Sequence, residues 1–146
     1  MSNLSVVEWF AHANSTNDFD AMDGLIHDDY VLELPQSGER ILGRANRRAM
    51  IENYPGLAGE APTVGRIIGA DDQFLTTPSW PAYSLLHLSG SGDEFQITGT
   101  LRYPDGKTWH WIAFLTLKEG KIWRETAYFA EPFEPPAWRA ALVEQR

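Results

Sequence analysis

Cysteine is absent from the chain, which excludes disulfides, thiolate metal sites and cysteine nucleophiles. Positive charge is scarce: twelve Lys and Arg stand against twenty Asp and Glu, for a formal net charge of -8. Phosphate backbones are held by clustered cations, so nucleic acid is not an expected partner. The one basic cluster, Arg44, Arg47 and Arg48, reads as a solvated helix face. No run approaches the roughly 20 apolar residues of a membrane-spanning helix. The opening MSNLSVVEWF lacks the basic and apolar regions of a signal peptide. A cytoplasmic location, with no membrane partner, is expected. The four histidines share no metal-type spacing, and HExxH, GxGxxG and GxxxxGK[ST] are all missing. Neither a metal nor a cofactor is expected.

What the chain has is aromatic surface. Six tryptophans occur among 146 residues, three of them in WHWIAFLTLKEGKIWRETAYF at 109–129. The length suits one domain, residues 1–146, with no linker or internal repeat. Leu4, Val7, Phe10 and Ala11 recur at helical spacing and predict a helix over 3–15. Asn17 or Asp18 can cap a second, short helix carrying Phe19, Met22 and Ile26. YVLEL at 30–34 alternates as a strand, and a third helix over roughly 44–54 is stopped by Pro55-Gly56. Strands follow near 63–70, 73–77, 82–89, 94–103, 107–118 and 121–129, punctuated by SGSGD, PDG and KEG. Pro132, Pro135 and Pro136 end the sheet, and a last short helix carries Trp138 and Leu142. The fold class is α+β, with helices on one face of a curved antiparallel sheet.

Turn chemistry assigns the faces. YPDGK and LKEGK suit a type I turn with a glycine bulge, which pairs Tyr103 with Lys107 and Leu117 with Lys121. Alternation then puts Phe95, Ile97, Gly99, Leu101, Trp109, Trp111, Ala113, Leu115, Trp123, Glu125, Ala127 and Phe129 on one face. Glu125 is the only charge on that apolar wall away from the turn, and this register sets it opposite Ala113. A two-residue turn at Glu119-Gly120 would shift the pairing by one.

An ionised carboxylate on an apolar wall must pair with a cation, hold a proton or reach water. Desolvation raises a carboxyl pKa, as general acid/base chemistry near neutral pH requires. Glu125 is therefore a candidate general acid or base, an idea lost if it is ion-paired. The competing reading is such a pair, with Arg47, Arg48 or Arg66, or a hydrogen-bonded core glutamate.

His110 falls on the opposite face as a structural or interface histidine, and becomes a second candidate base if the register slips. His87 is a candidate for the mouth of the site, while His12 and His27 read as solvated. Tyr54 and Met50 lie one turn apart on the third helix and could close a pocket, with the Tyr54 hydroxyl as donor. Trp138 and the proline-rich tail could cover the pocket mouth or a dimer partner, with plain packing as the default.

ANSTNDFDAMDGLIHDDYVLELP resembles the helix-helix-strand opening of the SnoaL-like and ketosteroid isomerase-like proteins of the nuclear transport factor 2-like superfamily. EGKIWRETAYFAEPFEPPAWRA resembles that superfamily's last strand in its uncharacterised bacterial members. The resemblance covers nearly the whole chain. It implies a cone: a strongly curved sheet whose concave face, with three N-terminal helices over it, encloses a deep apolar pocket. Phe10, Leu34, Met50, Trp109, Trp111, Ala113 and Phe129 would line it around Glu125. It also implies a homodimer through the convex face, which carries His110, Phe114, Arg124 and Tyr128.

Ketosteroid isomerases use a Tyr and two Asp at positions that here hold Phe10, Leu34 and Ala113, so that mechanism is not expected. No Asp matches the one that SnoaL-type cyclases use beside a His. The resemblance thus implies binding of a small hydrophobic, cyclic or carbonyl-bearing ligand. Two readings stay open: acid/base isomerase, cyclase or dehydratase activity, or a non-catalytic binding or dimerisation module.

Overall fold

The computed structural model describes residues 1–16, 18–54, 63–68, 74–79, 82–102 and 107–145. The helices α1 (Asn3–Thr16), α2 (Phe19–Leu25) and α3 (Arg44–Glu52) precede most of the sheet. The strands are β1 (Ile26–Leu34), β2 (Glu39–Leu42), β3 (Thr63–Ile68), β4 (Phe74–Ser79), β5 (Ala82–Ser91), β6 (Glu94–Arg102), β7 (Thr108–Lys118) and β8 (Lys121–Ala130). Asp18 caps α2 by accepting a hydrogen bond from the Ala21 amide, as its position predicts. The Pro55-Gly56 stop and the PDG turn lie outside the described residues.

The eight strands form one curved, open sheet in the order β2-β1-β8-β7-β6-β5-β3-β4. The expectation of an antiparallel sheet needs one correction. β1 runs parallel to β8, and β3 parallel to β5. Parallel neighbours need a long crossover rather than a hairpin, so no turn signal announces them. The strand expected at 30–34 begins earlier, at Ile26. The short edge strand β2 is an addition: it pairs Leu34 with Glu39 and Val31 with Leu42.

α1 lies across the face of β5, β8, β3 and β4, and Asn3 fastens its start to the β5–β6 turn by donating to the Gly92 carbonyl and the Asp93 carboxylate. Val6, Val7, Phe10 and Ala11 of α1 are buried with Leu86, Leu88, Phe95, Ile97, Trp111, Ala113, Leu115, Leu117, Ile122 and Ala127. That set is the hydrophobic core. α3 packs on β1 and β2.

The β7–β8 hairpin determines where Glu125 points. Its turn has two residues, Glu119 and Gly120, both at positive φ (54° and 73°). Lys118 therefore pairs with Lys121, and Leu117 with Ile122, not with Lys121. Left alone, this shift would send Glu125 to the other face. A bulge at Trp123 inserts one extra residue, after which Thr116 pairs with Arg124 and Leu115 with Glu125. Glu125 thus faces the core as expected, but opposite Leu115 rather than Ala113. Trp123 leaves the apolar row: its ring lies 4.1 Å from the Arg124 guanidinium and 5.2 Å from Lys118 Nζ.

The C-terminal helix is a 3-10 helix, Ala137–Leu142. Trp138 and Leu142 are not packed on the sheet: they are 77 % and 79 % exposed, and Phe133 before them is 80 % exposed. No helix is long and apolar enough to cross a membrane among the described residues.

Candidate functional site

Four elements deliver one polar side chain each to a single buried spot. β8 supplies Glu125 (3 % exposed), α3 Arg47 (5 %), β1 Tyr30 (1 %) and α1 Asn14 (5 %). Tyr30 shares its face with Leu32, and Leu32 stands beside Glu125 in the parallel β1–β8 pair. That register brings the phenol to the carboxylate.

The contacts form a chain. The Tyr30 hydroxyl donates to Glu125 Oε2. Arg47 Nε donates to the same hydroxyl at 3.0 Å and lies 3.5 Å from Glu125 Oε2. Arg47 Nη2 donates to Asn14 Oδ1 at 2.7 Å, and Asn14 Nδ2 to the Phe10 carbonyl at 2.9 Å. Arg47 Nη1 reaches Met22 Sδ at 3.2 Å, and the guanidinium sits 5.0 Å from the centre of the Phe10 ring. Burial pushes the Tyr30 hydroxyl well above its usual pKa, and the adjacent Glu125 charge adds to the rise. The phenol stays protonated and holds the carboxylate as a donor.

Arg47 therefore does not belong to a solvated face. Its neighbours do: Arg48 bridges Asp20, Asp23 and Glu52, and Arg44 pairs with Asp28. Of the three arginines weighed as partners for Glu125, Arg47 makes the pair; the side chain of Arg66 lies outside the described residues. Sequence reasoning missed Tyr30, Asn14 and Met22 as members of the cluster. Only the alternation of Tyr30 with Leu32 could have indicated one of them.

The other predicted residues spread around this cluster. Phe10, Trp111 and Ala113 are buried in the core, while Leu34, Trp109 and Phe129 are half-buried toward one end of the sheet. Met50, on α3, and Tyr54, just beyond its end, are exposed. His110 is exposed, opposite Thr100 and Ala130, on the face away from Glu125. His87 is likewise exposed and pairs with Thr98. His27 is not solvated: it is buried, its Nδ1 accepts the Asp29 amide, and its Nε2 meets Glu119 at 3.3 Å.

Chemically, the cluster is a neutralised ion pair with a bridging phenol. A guanidinium and a carboxylate cancel in charge, and each polar atom just described has a partner. Such an arrangement fixes α1, α3, β1 and β8 to one another.

Comparison with solved structures places the fold among nuclear transport factor 2-like proteins. An NTF-2 like protein of unknown function from Burkholderia xenovorans LB400 is 28 % identical, with TM-score 0.69, covering 99 % of this chain and 95 % of that one. A Kribbella flavida DSM 17836 protein described as a "putative ketosteroid isomerase" is 24 % identical, with TM-score 0.74 and coverage of 99 % and 89 %. An LEH-like epoxide hydrolase of M. tuberculosis is 19 % identical, with TM-score 0.56 and coverage of 87 % and 81 %. At such identities the last two speak for fold alone. A comparison with curated proteins gives no match. The family model for the SnoaL-like domain matches residues 6–125, from the first turns of α1 to Glu125 itself, and the chain belongs to that family.

Proposed function

We propose that this protein binds a small hydrophobic molecule on the apolar, helix-covered face of its sheet, and that Glu125 is part of the frame of that site rather than its acid or base. The observation that carries the reading is the Arg47–Glu125 pair with its Tyr30 bridge. The acid/base role required an unpaired carboxylate, and this one is paired. Phe10, Leu34 and Ala113 stand where the ketosteroid isomerases carry their three reactive groups, so that set of acids does not support such a role.

Side-chain size supports the location. Ala113 of β7 and Ala127 of β8 pair directly on the apolar face, with Ile97 of β6 completing their row. Larger side chains flank the two alanines: Leu115 and Phe95 in the row on one side, Trp111 and Phe129, with Gly99, in the row on the other. Two small residues edged by aromatic rings suit an uncharged, ring-bearing ligand. The uncharged fluorescent probe N-phenyl-1-naphthylamine tests this. Wild-type protein should give a saturable rise in emission. Ala113→Leu, which enlarges one of the two alanines, should weaken binding about tenfold or more, equivalent to about 1.4 kcal/mol. Circular dichroism would verify that the variant is folded. Undiminished affinity in a folded Ala113→Leu protein would reject the site.

The convex face we assign to a second copy of the chain. Two successive rows, Thr98-Ile112-Tyr128 and Gln96-Phe114-Thr126, carry no charge. Phe114 and Tyr128 are exposed there and meet edge to face at 6.4 Å. The next row ends in Glu94 on one side and Arg124 on the other. A two-fold axis along β7 would set each Glu94 over the partner's Arg124, a self-complementary rim around an aromatic centre.

A further inference from the structure

The segment after β8 is unlike the rest of the surface. It follows Ala130, the last residue of β8, which pairs with His110, and the Glu131 carboxylate is held 3.3 Å from Lys107 Nζ. Pro132, Pro135 and Pro136 follow, and Pro136 has extended backbone (φ -68°, ψ 138°). Proline-rich extended chain is stiff, so this stretch acts as a strut rather than a loose tail. The strut carries the 3-10 helix with Trp138 and Leu142. Together with Phe133, three large apolar side chains are about four-fifths exposed within ten residues. Large apolar side chains this exposed and this close in the chain give the segment apolar area available to cover another surface.

The anchor of the strut determines what it can reach. Lys107 and Glu131 lie two residues from Trp109 and Phe129, so the arm springs from the half-buried end of the apolar face. From Glu131 to Trp138 the chain spans at most about 25 Å when extended. That length suffices to fold back across the sheet end, where Leu34, Trp109 and Phe129 show their outer edges.

We propose that the C-terminal arm completes the ligand site, with Trp138 and Leu142 laid over the rim formed by Leu34, Trp109 and Phe129 when a ligand is bound. This rests on the ligand-site reading above. Trp138 is then a specificity-determining residue: it supplies the wall that the sheet and helices leave open, and its flat ring favours ring-bearing ligands.

Limited trypsin digestion reads the arm directly, because Arg139 lies inside the 3-10 helix. The full-length protein would be digested with and without saturating N-phenyl-1-naphthylamine, and cleavage after Arg139 followed by mass spectrometry. Bound probe should slow that cleavage about fivefold or more. Trp138→Ala should raise the probe's Kd by a similar factor, about 1 kcal/mol, without moving the melting temperature, because the side chain is exposed. Probe binding with unchanged cleavage and an unchanged Kd in Trp138→Ala would overturn the arm's role and leave the ligand site standing. Protection that follows protein concentration rather than probe would place the arm on a second copy and also overturn it. A wild-type protein that binds no probe would remove the ligand site, and this proposal with it.

Discussion

Replacing Arg47 by methionine tests the buried cluster most severely. Methionine retains much of the volume beneath Phe10 but leaves the Glu125 carboxylate, 3 % exposed, with only the Tyr30 hydroxyl. Removing one partner of a buried ion pair costs about 3–5 kcal/mol. Asn14 Oδ1 loses its 2.7 Å donor, for about 1 kcal/mol more. Against a total stability of about 5–15 kcal/mol, the loss is a large share. Urea unfolding followed by circular dichroism at pH 8 should show the deficit. Adding Glu125→Gln removes the stranded charge and should restore about 2 kcal/mol or more at pH 8. A single-variant cost below about 1 kcal/mol at pH 8 would refute the pairing argument.

Two further outcomes follow from other parts of the molecule. Tyr30 keeps its proton when folded but ionises near pH 10 when unfolded, so wild-type stability should fall above about pH 10 by up to roughly 1.4 kcal/mol per pH unit on its account. Tyr30→Phe, less stable at neutral pH for its lost hydrogen bonds, should shed that part of the slope, and urea titrations between pH 9 and 11.5 would reveal equal slopes if the phenol were not buried against Glu125. On the convex face, Phe114→Lys should convert a dimer to a monomer in sedimentation velocity; a wild type that sediments as a monomer at high concentration would remove the second-copy assignment.

The faces of the sheet could be read from the sequence because the side-chain period of a strand is two, and one face of β6, β7 and β8 is almost wholly apolar. The register was harder. A two-residue turn and a bulge at Trp123 each move the pairing by one, and their effects on facing cancel. The orientation of Glu125 therefore followed from alternation, while its neighbour did not. That Glu125 must pair with a cation, hold a proton or reach water was legible from desolvation, but that it pairs, and with Arg47, depends on α3 packing on β1. The Tyr30 bridge depends on the parallel β1–β8 pair, and pairing between distant segments leaves no local signal. The strand β2 escaped for a different reason: four residues, mostly exposed, carry too little alternation to stand out.

The parallel pair has a consequence for synthesis. Tyr30 and Glu125 are 95 residues apart in the chain. At about 5–20 residues per second, a ribosome takes on the order of 5–20 s to travel that distance. For most of that interval Arg47 has been made and its carboxylate has not. The first helices and β1 have no counter-charge against which to bury the guanidinium, and β1 lacks its inner neighbour. The N-terminal half must therefore wait, open, for β8 to slide between β1 and β7, and the last-made strand becomes the one that locks the first.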